Sequence, residues 1–364
     1  MRRALSPFQK PRQGPPQTRA LMAGLLLVLA LLPACTPRLA PDGPGLTGDQ
    51  VNAERLNGKT FLTDDGLELP YRVWRPEGVP KAVVLALHGF NDYSNAFEGP
   101  GAYFAGQGIV TYAYDQRGFG ESPNRGLWPG MDRLTGDATA FARTLRRAHP
   151  GKPLFLLGES MGGAVVIATV TGQDPPAAEG VVLSAPAVWA RATMPWYQRA
   201  ALWLSAHTLP WAHVTGRGLK IQASDNIEML RGLGRDPLFI KETRVDAVYG
   251  LVNLMDRALV AAPELRDEAL LLYGKKDEVV PLDPTFRLWR GLPDGNGVRQ
   301  RPALYEDGWH MLLRDLQAEV VLGDIVAWIG DRDAPLPSGA DLDASDALRD
   351  SESVEEAAAP ASAD

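Results

Sequence analysis

Residues 154–168 read Leu-Phe-Leu-Leu-Gly-Glu-Ser-Met-Gly-Gly-Ala-Val-Val-Ile-Ala, and few folds accommodate such a run. Residues 154–157 form a short apolar strand and 164–168 a helix, so Ser160 stands on the turn between them. A turn that sharp strains the backbone at the serine and leaves room only for small neighbours, a requirement met by Gly158, Gly162 and Gly163. At the start of the following helix the serine also feels a positive dipole that favours developing negative charge nearby. The G-x-S-x-G pattern in this strand-to-helix setting marks Ser160 as a candidate nucleophile.

The rest of the chain supplies the sheet that such a turn needs. The runs 82–87, 109–114, 181–184, 269–273 and 303–305 are short, apolar and without alternation, as expected of strands covered on both faces. Helix-length segments at 93–107, 132–149, 161–171, 284–292 and 315–329 separate them. Ahead of them, 61–63 and 67–74 flank Asp64-Asp65-Gly66, a hairpin signal. The expected fold class is α/β, with a doubly wound, mostly parallel sheet over residues 60–330. One stretch, about 186–257, carries helical pieces without a convincing strand and reads as an inserted helical cap. Trp189, Trp196, Trp203 and Trp211 recur through it, either holding the cap together or lining an apolar acyl-chain pocket beneath it.

A nucleophilic serine needs a base, and with this sheet and turn the chain order is serine, acid, histidine. Of the five histidines, His88 and His149 precede Ser160, while His207 and His213 fall in the cap, leaving His310 just after the last strand. The acid must lie between the two, after a strand. Asp277 follows an apolar strand and a glycine turn, with Glu278 and Asp283 as nearby rivals. Its carboxylate would fix the imidazole tautomer and stabilise the imidazolium formed on attack. Two backbone N–H groups are expected to hold the oxyanion: Met161, next after the serine, and Phe90, in the loop after 82–87. His88 reads as a structural peg for that loop.

Taken together, Leu87-His88-Gly89-Phe90, Asp115-Gln116-Arg117-Gly118-Phe119-Gly120-Glu121-Ser122, Gly158-Glu159-Ser160-Met161-Gly162-Gly163, Gly274-Lys275-Lys276-Asp277 and Trp309-His310 resemble the monoacylglycerol lipase and lysophospholipase group of α/β-hydrolases, which includes proteins named serine aminopeptidases and simple esterases. Ser224-Asp225 and Asp236-Pro237-Leu238 look like that group's cap motifs. Phe119 stands where the group often has histidine, a departure that leaves the triad untouched. The resemblance, over about 60–329, implies Ser160, Asp277 and His310 as triad, Phe90 and Met161 as oxyanion donors, and a lipid ester, a monoacylglycerol or lysophospholipid, as substrate. A peptidase or amidase on the same triad would need a cap carboxylate for the substrate amine, for which Asp225, Glu228 and Asp246 are candidates; a general carboxylesterase would not. A lipid-binding scaffold on an inactive fold is disfavoured by the complete triad. The chemistry calls for no cofactor or metal, and no H-E-x-x-H or phosphate-loop pattern occurs.

The ends differ in character. A basic start leads into the apolar run 21–32 and then Leu32-Pro33-Ala34-Cys35, the length of an export signal and short of a spanning helix. Cys35, the sole cysteine, would be the acylated residue of a lipoprotein signal over 1–35, although Pro33 is unusual there; a plain secretory signal or an uncleaved anchor are the other readings. All three put the domain outside the cytoplasm, and the first attaches it to a bacterial membrane. Residues 36–59, rich in Pro and Gly at their start, read as a flexible tether, and 331–364 as a disordered acidic tail. The net charge of −7 lies mostly in these ends, +5 in residues 1–35 and −8 in 331–364. Nucleic acid is therefore not an indicated partner.

Overall fold

The fold was obtained as a computed structural model, which describes residues 36–51, 54–216, 218, 220–293 and 299–358. Cys35 and the export signal read in residues 1–35 lie outside the described residues.

Eight strands form one sheet: β1 (Thr60–Leu62), β2 (Glu68–Trp74), β3 (Ala82–Leu87), β4 (Ile109–Tyr114), β5 (Leu154–Glu159), β6 (Gly180–Ser184), β7 (Ala269–Gly274) and β8 (Gln300–Tyr305). Their order across the sheet is β1-β2-β4-β3-β5-β6-β7-β8. The β1–β2 and β2–β4 pairs are antiparallel and the remainder parallel. The runs without alternation are apolar on both faces because both faces are covered. In β3, Val83, Leu85 and Leu87 enter one core layer and Ala82, Val84 and Ala86 the other. Helices α2 (Met131–Ala148), α3 (Met161–Val170) and α7 (Leu282–Gly291) pack on the first side, while α1 (Glu98–Gly106) and α8 (Ala318–Gly330) pack on the second. Strand order reverses between β3 and β5, so the loops after these two neighbours open a crevice at their carboxyl ends.

The cap lies between β6 and β7. It contains α4 (Trp196–Thr208), α5 (Ile227–Arg235) and α6 (Val245–Ala261), together with a two-residue antiparallel pair, His213–Val214 with Thr243–Arg244.

Two expectations about the ends are corrected. The Pro- and Gly-rich segment expected to be a flexible tether is laid against the domain: Leu39 bridges Trp128, the Ala40 amide donates to the Trp128 carbonyl at 2.7 Å, and Gly43 donates to the Asp65 carboxylate at 2.7 Å. Its composition denies the segment a core of its own, but an extended chain presents N–H groups that outside acceptors can take. The acidic tail is ordered as well, over most of its length. Helix α9 (Ala340–Ala358) begins where the Ser338 side chain and amide meet Asp324. Leu336 and Ala340 join one core layer and Ala344 the other, so the helix crosses the edge of the sheet at β8. Small alanines four apart among acids carry a docking face that an acid-rich composition hides. Ala344→Glu, which puts a carboxylate into a fully buried position, is expected to cost about 2–4 kcal/mol. Thermal unfolding should show a melting temperature several degrees lower; a shift no larger than that of exposed Asp343→Asn would mean that α9 is not docked.

Candidate active site

Ser160 sits between β5 and α3 with φ 52° and ψ −115°, a region that side-chain-bearing residues rarely occupy. Its amide donates to the Ser184 carbonyl at 2.9 Å, and its carbonyl accepts from Ala187 at 2.9 Å, which pins the strained turn from both sides. The glycines are required by space. A Cβ on Gly158 would overlap the Gly162 backbone, one on Gly162 would overlap the Leu87 carbonyl, and one on Gly163 would come within 2.9 Å of Pro186.

The structure brings the three expected side chains together. His310 Nε2 lies 3.0 Å from Ser160 Oγ, and His310 Nδ1 lies 2.8 Å from Asp277 Oδ2. The other Asp277 oxygen accepts from the amides of Val279 at 2.7 Å and Val280 at 2.9 Å. A carboxylate so supplied with donors leaves Nδ1 as the protonated ring nitrogen and Nε2 as the acceptor for the serine hydroxyl. The rivals are elsewhere: Glu278 accepts from the Gln222 amide, and Asp283 is exposed in the first turn of α7. Burial pulls the His310 pKa down. The Asp277 charge and hydrogen bond, with Glu159 adding to them, more than offset that, so the imidazole ends above its ordinary 6.5.

The two expected oxyanion donors flank the serine. Met161 opens α3, where the first N–H groups have no acceptor within the helix. The loop carrying Phe90 runs directly beside Ser160, with a Cβ position on Gly89 only 3.4 Å from Ser160 Cβ. His88 holds this loop from below: its Nε2 accepts from the Gln116 amide at 3.0 Å, and its carbonyl accepts from the Gln116 side chain at 2.9 Å. Phe119, in the same underlying segment, sets its ring edge to face against both His88 and Phe90.

The cap motifs clamp the loops that carry this chemistry. Ser224 Oγ donates to Asp315 at 2.6 Å, Met311 donates to the Ala223 carbonyl at 3.0 Å, and Asp225 accepts from the Leu316 amide at 2.9 Å, all on the His310 loop. Asp236 accepts from Tyr93 Oη at 2.7 Å and Ile240 donates to the Asn91 carbonyl at 2.9 Å, both on the Phe90 loop.

A cavity of about 220 Å³ opens over Ser160 and His310, with Phe90, Trp189, Phe239, Leu251, Met255 and Val280 in its apolar wall. Of the four cap tryptophans, Trp189 lines it, whereas Trp196, Trp203 and Trp211 are exposed on the outside. A larger cleft, about 640 Å³, lies under residues 37–42 and shares no lining residue with the cavity over the serine.

Sequence reasoning missed one cluster in this cavity. Arg314 reaches Asp92 at 2.8 Å and Glu159 at 3.1 Å, and all three line the cavity. Burial alone would lower the arginine's pKa, but the two carboxylates raise it well beyond the ordinary value. The cluster ties together the loop of Phe90, the turn of Ser160 and the loop of His310. A signal existed, since Glu159 is a charged residue inside a turn that burial and small neighbours otherwise define.

The carboxylates considered for holding a substrate amine are all engaged away from the cavity. Asp246 pairs with Arg244, Glu228 with Arg231, and Asp225 with Leu316.

Comparison with known proteins gives this geometry its relatives. The family description "Serine aminopeptidase, S33" matches residues 78–317, more than half of the chain. The chain belongs to this family. The monoglyceride lipase of Mus musculus is 27% identical over 287 residues, covering 77% of this chain and 92% of its own. The monoacylglycerol lipase of Mycolicibacterium smegmatis is 25% identical over 286 residues, covering 74% and 95%. Among solved structures, the monoacylglycerol lipase of Paleococcus ferrophilus superimposes with a TM-score of 0.60 at 24% identity, covering 72% of this chain and 98% of its own. A soluble variant of the Saccharomyces cerevisiae monoglyceride lipase gives 0.63 at 19%, covering 77% and 98%. The family member described here is a serine ester hydrolase of the α/β-hydrolase fold, similar to monoglyceride lipases.

Proposed function

We propose that the chain cleaves the carboxylic ester of a monoacylglycerol through an acyl-enzyme on Ser160, with His310 as base and Asp277 as its orienting acid. His310 Nε2 takes the hydroxyl proton as Ser160 Oγ attacks the acyl carbonyl, and the N–H groups of Phe90 and Met161 hold the oxyanion. The tetrahedral intermediate expels the glycerol oxygen, which receives the proton from His310. Water then attacks the acyl-enzyme with His310 again as base, releasing a fatty acid and restoring the serine.

The observation that carries the reading is the aligned Ser160–His310–Asp277 relay beneath a small, mostly apolar cavity whose charged groups are two carboxylates and one arginine. An apolar wall suits an acyl chain. A net negative lining suits a neutral polyol that donates hydrogen bonds better than a phosphate.

The test is turnover of a panel of monoacylglycerols, lysophospholipids, short-chain esters and aminoacyl amides, with Ser160→Ala as the blank. Monoacylglycerols are expected to show the highest kcat/KM. Preference for aminoacyl amides or lysophospholipids would sink the substrate assignment and leave the relay standing.

We also propose that the domain is exported and held at a bacterial membrane by acylation of Cys35, which the apolar run 21–32 and its position before that cysteine support. Metabolic labelling with a radioactive fatty acid should mark the chain and fail in Cys35→Ser. Label retained in that variant would refute the site.

A further inference from the structure

The loop that presents the Phe90 amide turns at a residue in an uncommon conformation. The Asp92 amide donates to the Gly89 carbonyl at 3.3 Å and closes a four-residue turn, whose third residue, Asn91, has φ 68°. Phe90, the second residue, has no positive φ, which is the pattern of a type II turn. Such a turn favours glycine or asparagine at its third position. Its closing hydrogen bond joins Gly89 to Asp92 and leaves the Phe90 N–H outside the turn, free to face the cavity over Ser160 that Phe90 lines.

Glycine would take this conformation without strain, whereas asparagine takes it at a small cost and brings a side chain. That side chain is engaged. Asn91 Nδ2 donates to Thr243 Oγ1 at 2.7 Å, although the two residues are 152 positions apart in the chain. The Asn91 carbonyl accepts from the Ile240 amide at 2.9 Å, so both polar ends of the residue are held by the segment 240–243. Thr243 is buried, pairs with Val214 in the short strand pair of the cap, and stands directly ahead of α6.

The rest of the loop is held by the core. Gln116 fixes its entry through His88, and Arg314 fixes its exit through Asp92. The middle of the turn, next to the amide that matters, is held by the cap. An oxyanion donor must sit ~3 Å from the developing charge, and a small displacement forfeits much of its effect.

We propose that Asn91 is a positioning residue for the oxyanion: hooked on Thr243, it fixes the turn that aims the Phe90 N–H and makes that donor depend on the seating of the cap. This rests on the reading of Ser160 as nucleophile and Phe90 as donor. It adds a link from the cap to the chemistry that passes through the backbone rather than through contact with the acyl chain.

The test uses full-length chains and p-nitrophenyl butyrate, so that it does not depend on which lipid is the substrate. Asn91→Gly keeps the turn and deletes the hook, and Thr243→Val deletes the acceptor at nearly constant volume. Each should lower kcat roughly 10- to 30-fold, a fraction of the loss expected when an oxyanion donor is removed outright, with KM unchanged within about twofold. Because both remove the same hydrogen bond, Asn91→Gly/Thr243→Val should be no slower than either alone. Thr243→Ser, which retains the hydroxyl, should restore the rate. The specific readout is a butyl trifluoromethyl ketone. Ser160 Oγ adds to its carbonyl carbon, the hydroxyl proton passes to His310, and the former carbonyl oxygen is left charged where the oxyanion would form. Affinity for it should fall by the same factor as kcat/KM, while the acidic limb of the pH profile stays in place.

A kcat within about twofold of wild type in Asn91→Gly and Thr243→Val would overturn the proposal. So would a slower variant that binds the ketone as tightly as wild type, which would make the hook structural only, or one whose acidic limb moves, which would place the effect on His310. Ser160→Ala run alongside separates the two readings. If it is inactive while the hook variants are not, this proposal alone falls; if it hydrolyses the ester like wild type, the nucleophile assignment falls and takes this proposal with it.

Discussion

Ser160→Ala is expected to lower kcat by roughly 10⁴- to 10⁶-fold, leaving only what the oxyanion donors and substrate binding supply. The estimate follows from the relay itself, in which Ser160 Oγ is 3.0 Å from His310 Nε2 and no other hydroxyl takes its place on the turn. KM should change little, because the apolar wall and the loop of Phe90 are untouched. Steady-state hydrolysis of a short soluble ester measures both, and activity within tenfold of wild type would remove Ser160 from the mechanism. A companion variant separates chemistry from strain: Ser160→Gly should be as inactive but melt above Ser160→Ala, since glycine adopts φ 52° without the penalty the other residues incur.

The second large effect concerns Arg314. Arg314→Met leaves the Asp92 and Glu159 carboxylates buried without their shared cation. Breaking such a cluster from one side costs about 3–5 kcal/mol, so a fall in melting temperature of around 10 °C is expected. The variant should also move the pH profile. In the wild-type fold His310 titrates above its ordinary 6.5, so the stability its imidazolium contributes is complete below pH 6.5 and is lost as pH rises through the folded value. With His310 as the proposed base, activity should run the other way, because only the neutral ring can accept the serine proton. Arg314 opposes the upward shift, so its removal should carry the acidic limb of kcat/KM to still higher pH. Arg314→Met/Glu159→Gln, which deletes one charge of each sign, should recover part of both losses. A limb that stays in place with an unchanged melting temperature would mean that the cluster neither holds the site nor tunes it.

Much of the site could be read from the chain because its chemistry is tied to local geometry. Ser160 needed a turn with small neighbours, and Gly158, Gly162 and Gly163 announce it. His310 followed from chain order. Asp277 could be favoured over Glu278 and Asp283 but not separated from them by sequence, because what distinguishes it is the pair of amides from Val279 and Val280 that aim it at the imidazole. The sheet was legible through strands apolar on both faces. The ends were misread because composition reports whether a segment can build its own core and says nothing of acceptors elsewhere, such as Asp65 and the Trp128 carbonyl under residues 39–43. Arg314 escaped for a related reason: its partners are 155 and 222 positions away, and nothing in local spacing links them. The same holds for the cap, where even spacing of the tryptophans could not tell the inward Trp189 from the outward Trp196, Trp203 and Trp211.

Helix α9 has a bearing on how the protein is made. Strand β8 is bonded to β7 on one side only, and the helix that crosses its free edge comes from residues synthesised after the strand itself. Until those residues leave the ribosome, the nascent sheet presents an open strand able to recruit a neighbouring chain. The acidic residues spaced along α9 would then repel another copy at the moment when its alanines close the edge.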